Sequence, residues 1–164
     1  MPAPRFSELR PALLLATCIV HGDAADWPRF RGVQGNGIDG SPVGRRFPTV
    51  FGPDTNVLWS ATPPPGHSSP CIAGGRIFLT GYSEGQLLTL AYDRGSGREL
   101  WRRELPAGKI ERGASLGSPA TATPCTDGDR VCVYFGSFGL AAYGVDGREL
   151  WRHPLTVPVT QHGA

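Results

Sequence analysis

The sequence predicts an all-β chain built as a β-propeller of four-stranded antiparallel blades. Three observations lead there. The hexapeptide Gly-Arg-Glu-Leu-Trp-Arg occurs at residues 97–102 and again, unchanged, at 147–152, and self-similarity at one fixed period of about 50 residues marks a repeat architecture. With 23 glycines and 16 prolines in 164 residues the chain is rich in turn formers, as many short strands require and long helices do not. Between the turn signals the apolar runs group into four per cycle, the spacing of a propeller blade.

The amino terminus is of a different kind. Arg5 and Arg10 precede an apolar run from Pro11 to Val20, followed by the small residues Gly22, Ala24 and Ala25. Basic, apolar, then small is the order of a secretory signal, here placed at residues 1–25. The run is too short to cross a bilayer, which takes about 20 apolar residues. No other segment is apolar enough, so no transmembrane segment is expected and the mature chain should be exported, periplasmic or extracellular. Cys18, in Leu15-Ala16-Thr17-Cys18, resembles a bacterial lipoprotein processing site with Thr17 where a smaller residue normally stands. A lipid anchor at Cys18 is the alternative to simple export.

Residues 26–67 read as an irregular leader, packed across the domain through Trp27 and Phe30, with an outer strand around Trp59 in Asn56-Val57-Leu58-Trp59-Ser60. The first full blade spans 68–106. Ser69–Ala73 is its first strand, Gly74-Gly75 a tight hairpin turn, and Arg76–Tyr82 the second strand. Leu87–Tyr92 is the third, and Asp93 to Gly97 leads into the fourth at Arg98–Glu104. The second full blade, 107–155, repeats the order with strands at Val131–Phe135, Leu140–Tyr143 and Arg148–His153, and 156–164 opens a truncated third. Middle strands are apolar on both faces, as sheets sandwiched between neighbours should be. Fourth strands carry charge, which blunts an outer edge.

Charge excludes one class of partner. The net charge is +2, and 15 arginines and one lysine are scattered rather than striped, so nucleic acid is not expected. Arg98, Arg102 and Arg103 alternate with Glu99 and Glu104, a solvated outer strand.

The repeated stretch carries the most specific signal. Asp93 can accept hydrogen bonds from the turn that follows, Gly97 can take the positive φ such a turn requires, and Trp101 then packs its indole against a neighbouring blade. Ala91-x-Asp93-x-x-Ser96-Gly97-x-x-x-Trp101 resembles the repeat signature of the pyrroloquinoline-quinone-like (PQQ-like) β-propellers, Ala-x-Asp-x-x-Thr/Ser-Gly-x-x-x-Trp. The second copy keeps Ala142 and Trp151 but is one residue shorter. Gly144 stands where Asp is expected, which leaves Asp146-Gly147 to make the turn. Asp26-Trp27-Pro28-Arg29-Phe30-Arg31-Gly32 also resembles the opening of secreted members. WD repeats would close a blade with Trp-Asp, but Trp59, Trp101 and Trp151 are followed by Ser or Arg. Kelch repeats place their Gly-Gly pair after the second strand, whereas Gly74-Gly75 precedes it.

The resemblance implies a ring of seven or eight blades, so two blades and the outer strand at Trp59 are expected to belong to a protein two to three times longer. It also implies two functions. The favoured reading is an exported binding or scaffold module, a propeller of the tryptophan-docking type serving a protein or polysaccharide partner, with no catalytic site and no cofactor evident. The alternative is a quinoprotein oxidoreductase using PQQ with calcium, its cofactor residues lying in further blades. Family dehydrogenases often cover the quinone with a disulfide between adjacent cysteines, and this chain has no adjacent pair. Asp54, Asn56, Asp93, Asp127 and Asp129 fall in no dense acidic loop, and turn formation accounts for each. No catalytic residue and no metal ligand is expected. His67 beside Ser68 lacks an orienting third group. Cys125 and Cys132 are diagonal neighbours if Asp127-Gly128 makes the turn and directly opposite if Gly128-Asp129 does. The matching Cys71 and Phe78 favour packing over a bridge.

Overall fold

The computed structural model describes residues 26–40, 48–108, 110 and 117–157. The expected signal segment 1–25 with Cys18, and most of 156–164, lie outside these residues. Among the described residues there is no helix. Strands β1 (Cys71–Ala73), β2 (Arg76–Ser83), β3 (Gln86–Asp93) and β4 (Glu99–Pro106) form one sheet. A second holds β5 (Cys125–Thr126), β6 (Arg130–Phe135), β7 (Gly139–Gly144) and β8 (Glu149–Pro154). Both are antiparallel with strand order following the sequence, so each is one propeller blade, and the two are not closed into a ring.

Local chemistry sets the limits of these strands. Gly74 and Gly75 both have positive φ, as do Glu84 and Gly85, which is the two-residue turn whose twist matches a hairpin. The first strand begins at Cys71 rather than Ser69, because Pro70 offers no N–H to a ladder and the Ser69 N–H is taken by Thr123 Oγ1 at 3.1 Å. Each outer strand carries a bulge at the same place. Ala91 pairs Trp101 while Tyr92 pairs Glu99, and Ala142 pairs Trp151 while Tyr143 pairs Glu149. Leu100 and Leu150 are thus the inserted residues. In a regular strand Glu99 and Trp101 would share a face; the insertion sends them to opposite faces.

That division builds the core. On one face of the first sheet Cys71, Phe78, Ala91 and Trp101 lie in one row across the four strands. With Leu87 and Leu105 they pack against Val131, Val133, Phe135, Ala141 and Tyr143 of the second sheet. Leu88, Leu90 and Tyr92 form a smaller cluster on the opposite face of the first. Tyr134, Leu140 and Trp151 are exposed in the second sheet.

The leader differs from expectation in two respects. Residues 56–60 form no ladder, since the described residues offer no third strand beside them. Trp27 exchanges two backbone hydrogen bonds of 2.8 Å with Ile72, and Thr126 donates its N–H to Pro28 O at 2.9 Å, so residues 27–28 span the free inner edges of both sheets. Phe30, however, is 61% exposed. A turn closed by Gly32 N–H on Arg29 O at 3.0 Å puts Phe30 at its outer corner.

Candidate functional site

The residues singled out by the repeat come together in two junctions, and each is built from a turn and an indole. In the first turn Asp93 Oδ1 accepts the Ser96 N–H at 2.8 Å and the Ser96 hydroxyl at 2.7 Å. Those bonds, the hydroxyl first, hold the Asp93 carboxyl below the usual carboxylate range. The turn ends at Gly97 with φ 72°, and the indole of Trp59 lies on it, donating Nε1–H to Arg94 O at 2.9 Å. A Cβ at Gly97 would come within 2.4 Å of that ring. Trp59 is therefore a docking residue, although no strand carries it.

The second junction repeats the arrangement one blade on. Trp101 donates Nε1–H to Val145 O at 2.9 Å and rests on Gly147, whose φ is 86° and whose Cβ would stand 2.7 Å from the ring. Phe78 and Tyr143 lie at centroid distances of 5.9 and 6.1 Å. Arg103, expected to be solvated, instead sits 5.9 Å from the Trp101 centroid and donates Nε–H to Gly147 O at 2.6 Å. Ala91 and Ala142 lie opposite Trp101 and Trp151, where a larger side chain would push the indole off the sheet. Asp146 Oδ1 accepts the Arg148 N–H at 3.0 Å, while the Gly144 N–H takes Arg148 O at 2.8 Å. Trp151, the matching indole of the second blade, is 45% exposed.

Other polar groups of the sequence are likewise engaged. Asp127 Oδ1 accepts N–H bonds from Asp129 at 3.0 Å and Arg130 at 2.7 Å, which lowers its pKa, and its carboxylate pairs with the Arg130 guanidinium at 2.9 Å. Asp54 lies in the turn that Gly52 and Thr55 close, and Asn56 donates to Val50 O at 2.8 Å. The Ser68 hydroxyl accepts the Thr80 N–H at 3.0 Å and donates to Thr80 O at 3.4 Å, so its proton is directed at Thr80 rather than at His67, whose backbone N–H donates to Ala120 O at 2.9 Å. Glu99 is held ionised by Arg102 at 2.9 Å.

A quinone with calcium does not fit these residues. Among the described residues no group of three or more His, Cys, Asp or Glu side chains could hold a metal ion. Three of the four indoles are already packed on turns, Trp59 on Gly97, Trp101 on Gly147 and Trp27 on Gly32, while Trp151, 45% exposed, has no such cluster beside it among the described residues.

The two antiparallel four-stranded sheets are consistent with the family found by comparison. A solved structure of a europium-containing methanol dehydrogenase is similar at 18% identity and a TM-score of 0.31, over 52% of this chain and 24% of that one. The chain thus spans about a quarter of that protein's length. No curated protein matches. A family model described as outer membrane protein assembly factor BamB matches residues 43–162. The chain belongs to that family of PQQ-like repeat proteins.

Proposed function

We propose that this chain is an exported binding or scaffold module that meets a protein partner through an apolar loop on a rigid pair of blades. One observation carries the reading. Val50, Phe51, Val57 and Leu58 are 65, 68, 46 and 93% exposed. They sit on a single connection, tied by the Gly52–Thr55 bridge and by Trp59 docked on Gly97. Contiguous exposed apolar side chains on a loop held by a stiff frame are the usual ground of protein recognition. A polysaccharide would call for free hydrogen-bonding groups, and the Asn56 amide is already given to Val50 O. The family description, an outer membrane protein assembly factor, supports a binding or scaffold role. Export follows from the basic-apolar-small order of the first 25 residues, and no cofactor is assigned.

The test is site-specific photocrosslinking in the exporting cell. A benzophenone side chain at Leu58 should give a discrete protein adduct that the same group at Arg148 does not. Equal labelling at both sites, or none at Leu58, overturns the reading. Dye reduction on adding PQQ and calcium would instead establish the quinoprotein alternative.

A further inference from the structure

We propose that Cys125 and Cys132 are a disulfide-forming pair, closing across the innermost hairpin of the second blade by exchange with a small-molecule disulfide, Cys125 reacting first. The register is the ground for it. Cys125 and Cys132 are direct Cα partners, one step before Thr126 and Val131, with Gly128-Asp129 at the centre of the turn closed by the Asp127 N–H on Arg130 O at 3.3 Å. The Thr126 N–H points out of the hairpin to Pro28 O. Thr126 and Val131 are therefore a pair without mutual hydrogen bonds, and Cys125 and Cys132 the hydrogen-bonded kind. Cα atoms in such a pair stand about 5.5 Å apart, inside the roughly 4.4–6.8 Å that a disulfide spans, and the Cβ atoms, about 1 Å wider than a bridge holds them, require the short β5 to shift as the bond closes. Directly opposite side chains also share a face.

Access and selectivity separate these thiols from the third. Cys125 is exposed and Cys132 half-buried. Both line a groove of about 380 Å³ walled by Pro28, Arg29, Val33 and Arg130. Cys71 is buried in the interface between the sheets, opposite Phe78, and burial pushes its thiol up to about 12. It is neither reached nor ionised. Burial raises the Cys132 thiol too, so the exposed Cys125 is the entry point.

The exchange balances in two steps. The Cys125 thiolate attacks one sulfur of the small disulfide, forming a mixed disulfide and releasing one small thiolate. Cys132, giving up its proton, attacks the Cys125 sulfur and releases the second. Two protein thiols are oxidised, one external disulfide is reduced to two thiols, and β5, only two residues long, is tied to β6.

The experiment uses the full chain, oxidised glutathione, alkylation and non-reducing tryptic mapping. Cleavage after Arg112, Arg130 and Arg148 puts the two cysteines in separate peptides, 113–130 and 131–148. The expected product joins those two peptides, leaves Cys71 alkylated and disappears on reduction with dithiothreitol. Cys132→Ser should stop at the glutathione adduct of Cys125. A link through Cys71, a stable adduct without a bridge, or full alkylation of Cys71, Cys125 and Cys132 overturns the pairing. A Cys132→Ser chain that takes up no glutathione overturns Cys125 as the entry thiol.

Discussion

The two turns that receive an indole reach the same end by different hydrogen bonding. In the first, Asp93 gathers both the N–H and the hydroxyl of Ser96. In the second there is one residue fewer: the backbone closes as it does in the first, but Gly144 occupies the aspartate position and Asp146 instead accepts the Arg148 N–H. Both finish in a positive-φ glycine, Gly97 or Gly147, and both offer an indole a carbonyl, Arg94 O or Val145 O, at 2.9 Å. The aspartate is thus one way to make the turn, whereas the glycine and the carbonyl are what docking needs. The surroundings differ as well. Trp101 is held by Phe78, Tyr143 and Arg103, while Trp59 lies half-buried on an unpaired segment.

The largest effect should come from emptying the tighter junction. Trp101→Ala removes the largest side chain from the contact between the sheets and should cost about 4 kcal/mol, as buried aromatic truncations do. Trp59→Ala should cost about 1.5 kcal/mol, because much of that indole already meets water. Urea unfolding followed by circular dichroism measures both, and equal losses would break the distinction between the junctions.

Filling the glycines sharpens the same contrast. Gly147→Ala forces a positive φ on a residue with a Cβ and drives that Cβ into Trp101, which its neighbours hold in place. About 3 kcal/mol is expected. Gly97→Ala makes the shorter contact, 2.4 Å against 2.7 Å, yet Trp59 has room to move away, so about 2 kcal/mol is expected. A larger loss at Gly97 than at Gly147 would mean that contact distance, not the freedom of the partner, decides the cost.

Restoring the missing side chain in the second turn should do harm. A Cβ on Gly144 would meet Asp146 Oδ1 at 2.5 Å. Asp146 lies on the surface and can swing aside, at the cost of its bond to the Arg148 N–H, so Gly144→Ala should lose about 1 kcal/mol. A gain in midpoint would show instead that the shortened turn has space for the side chain it lacks.

Much of this was legible in the sequence for a local reason. Gly74-Gly75 and Asp93 to Gly97 determine their own turns, and apolar runs between such turns give four strands per cycle without knowledge of their partners. What was not legible depends on residues far away in the chain. Residues 56–60 look like the outer strands at 98–104 and 148–153, but a strand exists only beside another. The insertions at Leu100 and Leu150 leave composition unchanged while reversing the face of Trp101 and Trp151. Arg103 reads as one more outer-strand charge until Gly147 is placed beside it. The exposed apolar side chains from Val50 to Leu58 left no periodic trace, since they lie outside every strand and nothing local fixes which way they face.

The smallest effect isolates the charge in the first turn. The Asp93 carboxyl is held down by the Ser96 hydroxyl and N–H, so its folded-state pKa lies below the unfolded value of about 3.9. The sign follows from linkage. The unfolded chain binds this proton more readily, so the stabilisation is complete above the unfolded pKa and is lost as pH falls through the folded one. Asp93→Asn keeps an Oδ1 acceptor for Ser96 while removing the titration. Near pH 7 the variant should therefore retain its fold with slightly lower stability. Between pH 5 and pH 2 its unfolding midpoint should fall less steeply than that of the parent chain. Because Asp93 is only half-buried, added salt should narrow the gap between the two curves by its Coulombic part and leave the part due to hydrogen bonding. Superimposable pH profiles would show that the Asp93 charge adds nothing and that the first turn is held by its backbone, its neutral hydrogen bonds and its glycine.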